Sequence, residues 1–80
     1  MTYWMITYVE IWPDGRGHLE QRLPRTTSTK RHPADWLINQ RRAIYNGERR
    51  GESLCCRGIH LLMALEISEE QHDAVQSLDM

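Results

Sequence analysis

Residues 2–12 have the sequence TYWMITYVEIW, and this stretch decides how the rest of the chain must be arranged. It contains two of the three tryptophans and two of the three tyrosines, and neither Gly nor Pro interrupts it. β-Branched and aromatic residues in such density are typical of a β-strand. Pro13, Asp14 and Gly15 follow, and their order fits a tight turn. The stretch therefore predicts the first arm of a β-hairpin.

This opening strand is apolar on both faces, because side chains alternate along a strand. The residues of odd number include Tyr3 and Val9, and those of even number include Trp4, Tyr8 and Trp12. A chain of 80 residues has little material with which to cover both faces. One face is therefore a candidate surface for a partner.

The composition is typical of a single compact domain spanning residues 1–80. Hydrophobic residues make up 40% of the chain and charged residues 26%, and no apolar run approaches the ~18 residues of a membrane helix. The first residues lack the features of a signal peptide, so we expect a cytoplasmic protein without membrane contact. Cys55 and Cys56 are adjacent and cannot cross-link distant parts of the fold, which predicts reduced thiols.

Charge is unevenly distributed along the chain. Residues 13–63 contain ten Lys and Arg against five Asp and Glu, whereas residues 64–80 contain five Asp and Glu and no Lys or Arg. Folding could bring the acidic end onto the basic middle and neutralise it. Alternatively, the basic middle stays exposed as a binding site.

The segment after the turn predicts the second arm of the hairpin. A return strand is predicted for residues 17–25, and Pro24 places it at a sheet edge because proline has no backbone N–H for the ladder. Residues 25–31 include three threonines and a serine without apolar periodicity. They predict a polar loop.

The second half of the chain predicts two helices around one strand. The first helix covers residues 33–46 and ends before Gly47. Residues 59–67 are continuously apolar and short, which favours a strand over a helix. Ser68 begins a capping-box pattern, which predicts a second helix over residues 69–78 that buries Ala74, Val75 and Leu78.

Together these elements, in the order β-β-α-β-α, predict an α+β fold. We expect a three-stranded antiparallel sheet of order 2-1-3 with two helices on one face. The helices would cover the odd-numbered face of the opening strand. The side chains added to this face by the other strands would be Leu19, Leu23, Ile59, Leu61, Met63, Leu65 and Ile67. The even-numbered face, with Trp4, Ile6, Tyr8, Trp12 and Leu62, would form an exposed aromatic patch.

The first helix has two contrasting sides. At 100° per residue, one arc contains Trp36, Leu37, Ala43 and Ile44 and should pack on the sheet. The opposite side contains Ile38, Arg41, Arg42 and Tyr45. Mixed aromatic and basic surfaces are common in binding faces, but an exposed Tyr beside Arg is also ordinary, so both interpretations stay open.

Motifs for catalysis or metal binding are not found in the sequence. A zinc site would have to combine Cys55, Cys56 and His60 with His18 or His32, and adjacent cysteines seldom bind one ion with good geometry. Glu10, Glu66 and His60 could form an acid–base group, but solvent-facing charges on a sheet explain them equally well. We therefore predict a non-enzymatic protein without a metal or other cofactor.

Nucleic acid is a candidate partner because of an arginine cluster in the middle of the chain. The cluster could neutralise phosphates, and Tyr45 could stack on one base. Its members are Arg41, Arg42, Arg49, Arg50 and Arg57. The near-neutral whole chain is not typical of a dedicated nucleic-acid-binding protein.

In size and organisation the chain resembles small proteins encoded by bacteriophages and mobile elements, including anti-CRISPR inhibitors. The segments that carry this resemblance are residues 3–12, residues 32–37 and residues 65–71. The resemblance implies a protein that occupies a surface of a host defence complex without catalytic residues, in the bacterial cytoplasm. Many such inhibitors are strongly acidic DNA mimics, and the basic middle of this chain departs from that pattern.

We therefore expect a non-catalytic binding protein, an inhibitor that occupies a surface of a larger host complex of the CRISPR-Cas type. The alternative is a small nucleic-acid-binding accessory protein that uses the arginine cluster. A second copy of the chain is a further candidate partner. The residues predicted to bind the partner are Trp4, Tyr8, Trp12, Ile38, Arg41, Arg42, Tyr45, Arg49 and Arg50.

Overall fold

The computed structural model describes residues 2–48 and 55–78 of the chain. The elements in chain order are β1 (Tyr3–Pro13), β2 (Leu19–Gln21), β3 (Arg25–Thr29), α1 (Pro33–Tyr45), β4 (Gly58–Ile67) and α2 (Glu69–Leu78). An antiparallel sheet and two helices confirm the predicted α+β class. The predicted bounds of α2 are correct, and those of α1 and β4 are correct to within one residue.

Strand β1 is the centre of the sheet, because all three other strands pair with it in antiparallel orientation. Strands β3 and β4 pair with overlapping stretches of β1, so they must lie on its opposite edges. Strand β2 pairs with residues 11–13 of β1, and β3 pairs with residues 4–8. The two pairings differ in register by a single residue. β2 and β3 are therefore two halves of one return arm, and the arm, β1 and β4 follow the predicted order.

The return arm differs from the prediction at residues 25–31. A loop was expected there, but residues 25–29 form β3, which pairs with β1 over five residues. Threonine is a good strand former because its branched side chain fits the pleated surface. Pro24 falls in the gap between β2 and β3, where no ladder N–H is required. The polar composition of this segment therefore marks a strand at the sheet edge, exposed at Arg25 and Thr26 and buried at Ser28.

The hairpin turn forms where the sequence predicts it. The Asp14 carboxylate accepts hydrogen bonds from the backbone N–H groups of Arg16 (2.7 Å) and His18 (3.1 Å). Gly15 and Gly17 both have positive φ angles, of 81° and 90°, which residues with a Cβ rarely adopt. The Asp14 side chain thus stabilises the turn by accepting hydrogen bonds from backbone N–H groups two and four residues further along the chain.

The two helices lie on opposite faces of the sheet, so the prediction of two helices on one face is wrong. Helix α1 covers the even-numbered face of β1, where the rings of Tyr8 and Trp36 lie 5.0 Å apart. Helix α2 covers the odd-numbered face, where His72 lies 4.5 Å from the ring of Tyr3. Both faces of β1 are apolar, and strand parity does not indicate which helix each face receives.

The hydrophobic core accordingly lies between α1 and the even-numbered face. Its buried members are Ile6, Tyr8, Trp36 and Ile59, and the partly buried side chains packed against them are Trp4, Leu37, Ile44 and Leu61. Trp12 is also buried. The predicted exposed aromatic patch of Trp4, Tyr8 and Trp12 is therefore wrong, because α1 covers the face on which it was expected.

Several residues predicted to be in the core are exposed instead. They are Leu19, Leu23, Met63 and Leu65. Helix α2 packs mainly on β3 and β1, so it leaves the odd-numbered side of β4 largely uncovered. Ala74 of α2 is exposed too, and Val75 and His72 are half-buried. The capping box is confirmed, since Ser68 Oγ accepts from the Gln71 N–H (3.2 Å) and Gln71 Oε1 from the Ser68 N–H (2.9 Å).

We expect Trp36→Ala to lower the free energy of unfolding by about 3–5 kcal/mol, since it removes a large aromatic side chain from the core. Urea denaturation followed by circular dichroism measures this effect. Ile38→Ala on the outer side of the same helix is the matched control and should cost only about 0.5 kcal/mol. Equal shifts of the two unfolding midpoints would contradict this position of α1.

Candidate binding surface

Helix α1 is fixed at both ends by local signals. At its start, His32 Nδ1 accepts a hydrogen bond from the Ala34 N–H (3.1 Å), and Pro33 occupies the first turn. At its end, Gly47 adopts a φ of 71° and donates its N–H to the Ile44 carbonyl at 3.0 Å. A left-handed glycine after the last turn is a common helix stop. The helix therefore has a fixed length and presents a fixed outer face.

The outer face of α1 consists of Ile38, Arg41, Arg42 and Tyr45. All four side chains are exposed, with Tyr45 at 90% and Ile38 at 53% of their full accessible areas. This confirms the orientation predicted from helical periodicity. Two large apolar side chains beside two guanidinium groups are the residue types that interface hot spots favour. Arg49 and Arg50, which were predicted to extend this surface, lie outside the described residues.

A groove of about 900 Å³ adjoins the C-terminal end of α1. Its apolar side chains come from three elements: Ile11 of β1, Ile44 of α1 and Ile59 of β4. Arg41 and Arg57 add positive charge. The other residues that line it are Leu19, Tyr45, Gly47, Cys55, Cys56, Gly58 and His60. The groove is open and shallow enough to take a side chain or a short extended segment of a partner.

Among the described residues that line this groove, none carries a carboxylate. In the described part of the chain, Arg41, Arg42 and Arg57 make no ion pair; the ion pair found there joins Arg25 and Glu10 at 3.6 Å. The groove and the outer face of α1 therefore form a continuous surface that can accept negative charge. We call it the basic α1 surface.

The acidic residues of α2 lie on the other side of the sheet. Glu69, Glu70 and Asp73 are exposed. Within the described residues, 2–48 and 55–78, no ion pair links them to an arginine. Of the two alternatives for the acidic end, the described residues favour an exposed basic surface over its neutralisation. Positive and negative charge are separated by the thickness of the sheet.

A buried carboxylate, Glu10, lies beside Cys56, one of the residues that line the groove. Glu10 is only 3% exposed, and one of its carboxylate oxygens lies 3.8 Å from Cys56 Sγ. The thiol also donates to the Gly58 carbonyl at 3.2 Å. Arg25 reaches Glu10 from β3. A buried carboxylate with several partners holds the edge strands onto β1, so we assign these residues a structural role.

Cys55, Cys56 and His60 line the same groove, but the candidate metal ligands form no coordinating group within the described residues. Among residues 2–48 and 55–78, no group of three or more His, Cys, Asp or Glu side chains is placed to bind a metal ion. His32 caps α1. His60 lies opposite Val9, on the odd-numbered face of β1. Cys55 and Cys56 are free thiols.

One polar cluster was missed by the sequence analysis. Ser28 of β3 lies 2.6 Å from Nδ1 of His72, and Gln76 Nε2 donates to the Ser28 hydroxyl and carbonyl oxygens at 3.0 Å each. Ser28 is 7% exposed. Neither Ser28 nor His72 lines the groove beside α1 or either of two smaller surface grooves among the described residues. Serine and histidine 44 positions apart give no local signal. The cluster anchors α2 to the sheet.

Comparison of the chain with protein-family models, with curated proteins and with solved structures finds no match in any of the three. Within the described part of the chain, neither helix is long and apolar enough to cross a membrane. The interpretation of the basic α1 surface therefore depends on its own chemistry.

We expect Ser28→Ala to loosen α2, because it removes the hydroxyl that bonds His72 Nδ1 and one of the two acceptors of Gln76 Nε2. The cost should be about 1–2 kcal/mol, and amide exchange should accelerate in α2 more than in α1. Hydrogen exchange followed residue by residue measures both effects. Ser77→Ala is the control, since Ser77 is exposed and bonds only within α2, to the Asp73 carbonyl. An unchanged exchange rate in α2 of Ser28→Ala would refute the anchoring role.

Proposed function

We propose that this chain is a non-catalytic binding protein that inhibits a larger host complex by occupying one of its surfaces. The basic α1 surface would make the contact. The partner is a protein with an acidic surface segment that carries at least one large apolar side chain. Defence complexes of the CRISPR-Cas type are the proposed targets, on the resemblance of the chain to phage-encoded inhibitors.

The observation that carries this proposal is the combination of an apolar groove with arginines at its side that make no ion pair within residues 2–48 and 55–78. The isoleucines of the groove can receive an apolar anchor, while Arg41 and Arg57 can pair with carboxylates that flank it. Buried apolar and arginine contacts supply most of the affinity in protein interfaces, and charge complementarity raises the rate of association. Tyr45 adds a large contact area at a low cost in conformational entropy because it has few rotatable bonds.

The exposed positions within the originally predicted set carry this proposal. They are Ile38, Arg41, Arg42 and Tyr45. Tyr8 and Trp12 are buried in the fold, and Trp4 is half-buried against His32 with ring centres 5.4 Å apart. Tyr8 therefore supports α1 from beneath through Trp36, and Trp12 packs against Arg22 away from the basic α1 surface.

Nucleic acid remains the alternative partner, and the exposed arginines favour it. Arg41, Arg42 and Arg57 could contact successive phosphates while Tyr45 stacks on a base. The two partners differ in how binding should respond to salt. Three phosphate contacts predict a slope of roughly −2 to −3 in a plot of log affinity against log salt concentration, whereas a protein interface with a buried apolar anchor should be less sensitive.

The test is affinity capture from a bacterial lysate, with and without nuclease treatment. Two double variants probe the surface: Arg41→Glu with Arg42→Glu, and Ile38→Ser with Tyr45→Ser. The matched control reverses charge on the opposite side of the sheet, with Glu69→Lys and Glu70→Lys. We expect one or more protein partners that survive nuclease, persist with the control, and weaken at least tenfold with each α1 variant.

Two results would contradict the proposal. The first is loss of every specific partner after nuclease treatment together with oligonucleotide binding by the purified protein at physiological salt, which would favour the alternative. The second is a partner whose binding is unaffected by both α1 variants but lost with the control, which would move the site to α2.

A further inference from the structure

We infer that the outer edge of β4 pairs with β4 of a second copy of the chain, in antiparallel orientation around Leu65. Strand β4 pairs with β1 along one of its edges. Within residues 2–48 and 55–78, no strand pairs with its other edge. A strand with one unpaired edge presents a row of backbone N–H and C=O groups that can template another strand.

This edge lacks most of the features by which monomeric proteins protect their sheets; its one charged side chain is Glu66, and its one irregularity is the register shift at Leu62. Residues 58–67 contain no Lys, Arg or Pro, and the strand is ten residues long. Natural edge strands are usually short, charged or interrupted by proline. Instead, Leu62, Met63 and Leu65 have 54%, 47% and 51% of their areas exposed. A long, apolar edge with so little protection favours a strand that is covered by a partner.

The apolar side chains of this edge form one row on the face that α2 covers incompletely. Met63, Leu65 and Ile67 are opposite Thr7, Met5 and Tyr3 of β1, so all of them lie on the odd-numbered face. Helix α2 packs mainly on β3 and β1, on the far side from β4. The row is therefore open at its outer side, where a second row could extend it.

The irregularity in β4 selects the register of pairing. The ladder with β1 is regular from residue 63 to residue 67 and shifts at Leu62. Only residues 63–67 therefore offer an edge without a bulge for a second strand to pair with. Antiparallel pairing centred on Leu65 places Met63 opposite the partner's Ile67. It also places Ala64 opposite the partner's Glu66, which keeps the two carboxylates apart. Every opposed pair lies on the same face of the combined sheet.

A second copy fits this edge because the segment is complementary to itself. Two-fold pairing extends the apolar row of one copy directly into that of the other, with three side chains from each. It involves no charged residue except Glu66, which meets a small apolar side chain. Edge-to-edge pairing also leaves the outer face of α1 free, so the basic α1 surface would be present twice in the dimer.

Sedimentation velocity over the micromolar to millimolar range tests this inference. Wild-type protein should shift from monomer to dimer with rising concentration. Leu65→Lys places two positive charges directly opposite each other at the two-fold axis and should weaken dimerisation at least tenfold. Leu23→Lys is the matched control, because Leu23 is 86% exposed outside the strands and should tolerate the same change.

A cysteine scan tests the register independently. Directly opposed residues in antiparallel strands have Cβ atoms about 4.5–5.5 Å apart, close to the spacing that a disulfide requires. In a Cys55→Ser background, Leu65→Cys should therefore form a disulfide-linked dimer under mild oxidation, whereas Met63→Cys should not, because its opposite residue is Ile67. The remaining native thiol, Cys56, is buried.

Wild-type protein that stays monomeric throughout the concentration range would overturn the inference. So would a dimer that Leu65→Lys and Leu23→Lys affect equally, or one in which Met63→Cys cross-links faster than Leu65→Cys. None of these measurements depends on the proposed inhibitor function.

Discussion

The fold depends on covering β1 on both of its faces. A strand with aromatic side chains on both sides cannot leave either side in water without exposing a large apolar area. The chain meets this requirement with three thin layers: α1, the sheet and α2. Because each helix has 13 residues or fewer, neither can cover the whole sheet. The centre of the sheet is therefore well buried, and its margins stay partly apolar and exposed.

The two helices are attached by different kinds of interaction. Helix α1 is held by the core around Tyr8 and Trp36, which is non-directional and tolerates small shifts. Helix α2 is held to a large extent by hydrogen bonds that join Ser28 to His72 and Gln76, whose geometry is specific. The first attachment supplies most of the burial, and the second fixes the position of a helix that has little apolar surface.

Much of the fold could be predicted from the sequence because its signals are local. The turn at Asp14, the stop at Gly47 and the capping box at Ser68 each act within a few residues, and all three form as expected. The choice of face for each helix could not be predicted in this way. Parity separates the two faces of β1 but assigns a helix to neither when both are apolar, and this ambiguity accounts for the wrong aromatic patch. The register shift at Leu62 adds to the wrong core, because it moves Ile59 and Leu61 to the even-numbered face.

The candidate site could be predicted only where helical periodicity decides it. Ile38 and Tyr45 were placed correctly on the outer face of α1 because that face follows from the helix alone. The groove was not foreseen, since Ile11, Ile44 and Ile59 come together only through tertiary packing. The partnership of Ser28 and His72 was missed for the same reason, because the loop expected at residues 25–31 concealed a strand.

The exposed arginines of α1 and the exposed carboxylates of α2 lie on opposite faces of the sheet, a local separation of charge that the formal net charge of −1 does not reveal. The α1 arginines form a local positive patch, and the α2 carboxylates form a local negative patch. In the field of a negatively charged surface, such a molecule experiences a torque that turns α1 toward that surface before contact. This effect acts within about one Debye length, ~8 Å at physiological ionic strength. A nearly neutral protein can thus approach its partner in a preferred orientation.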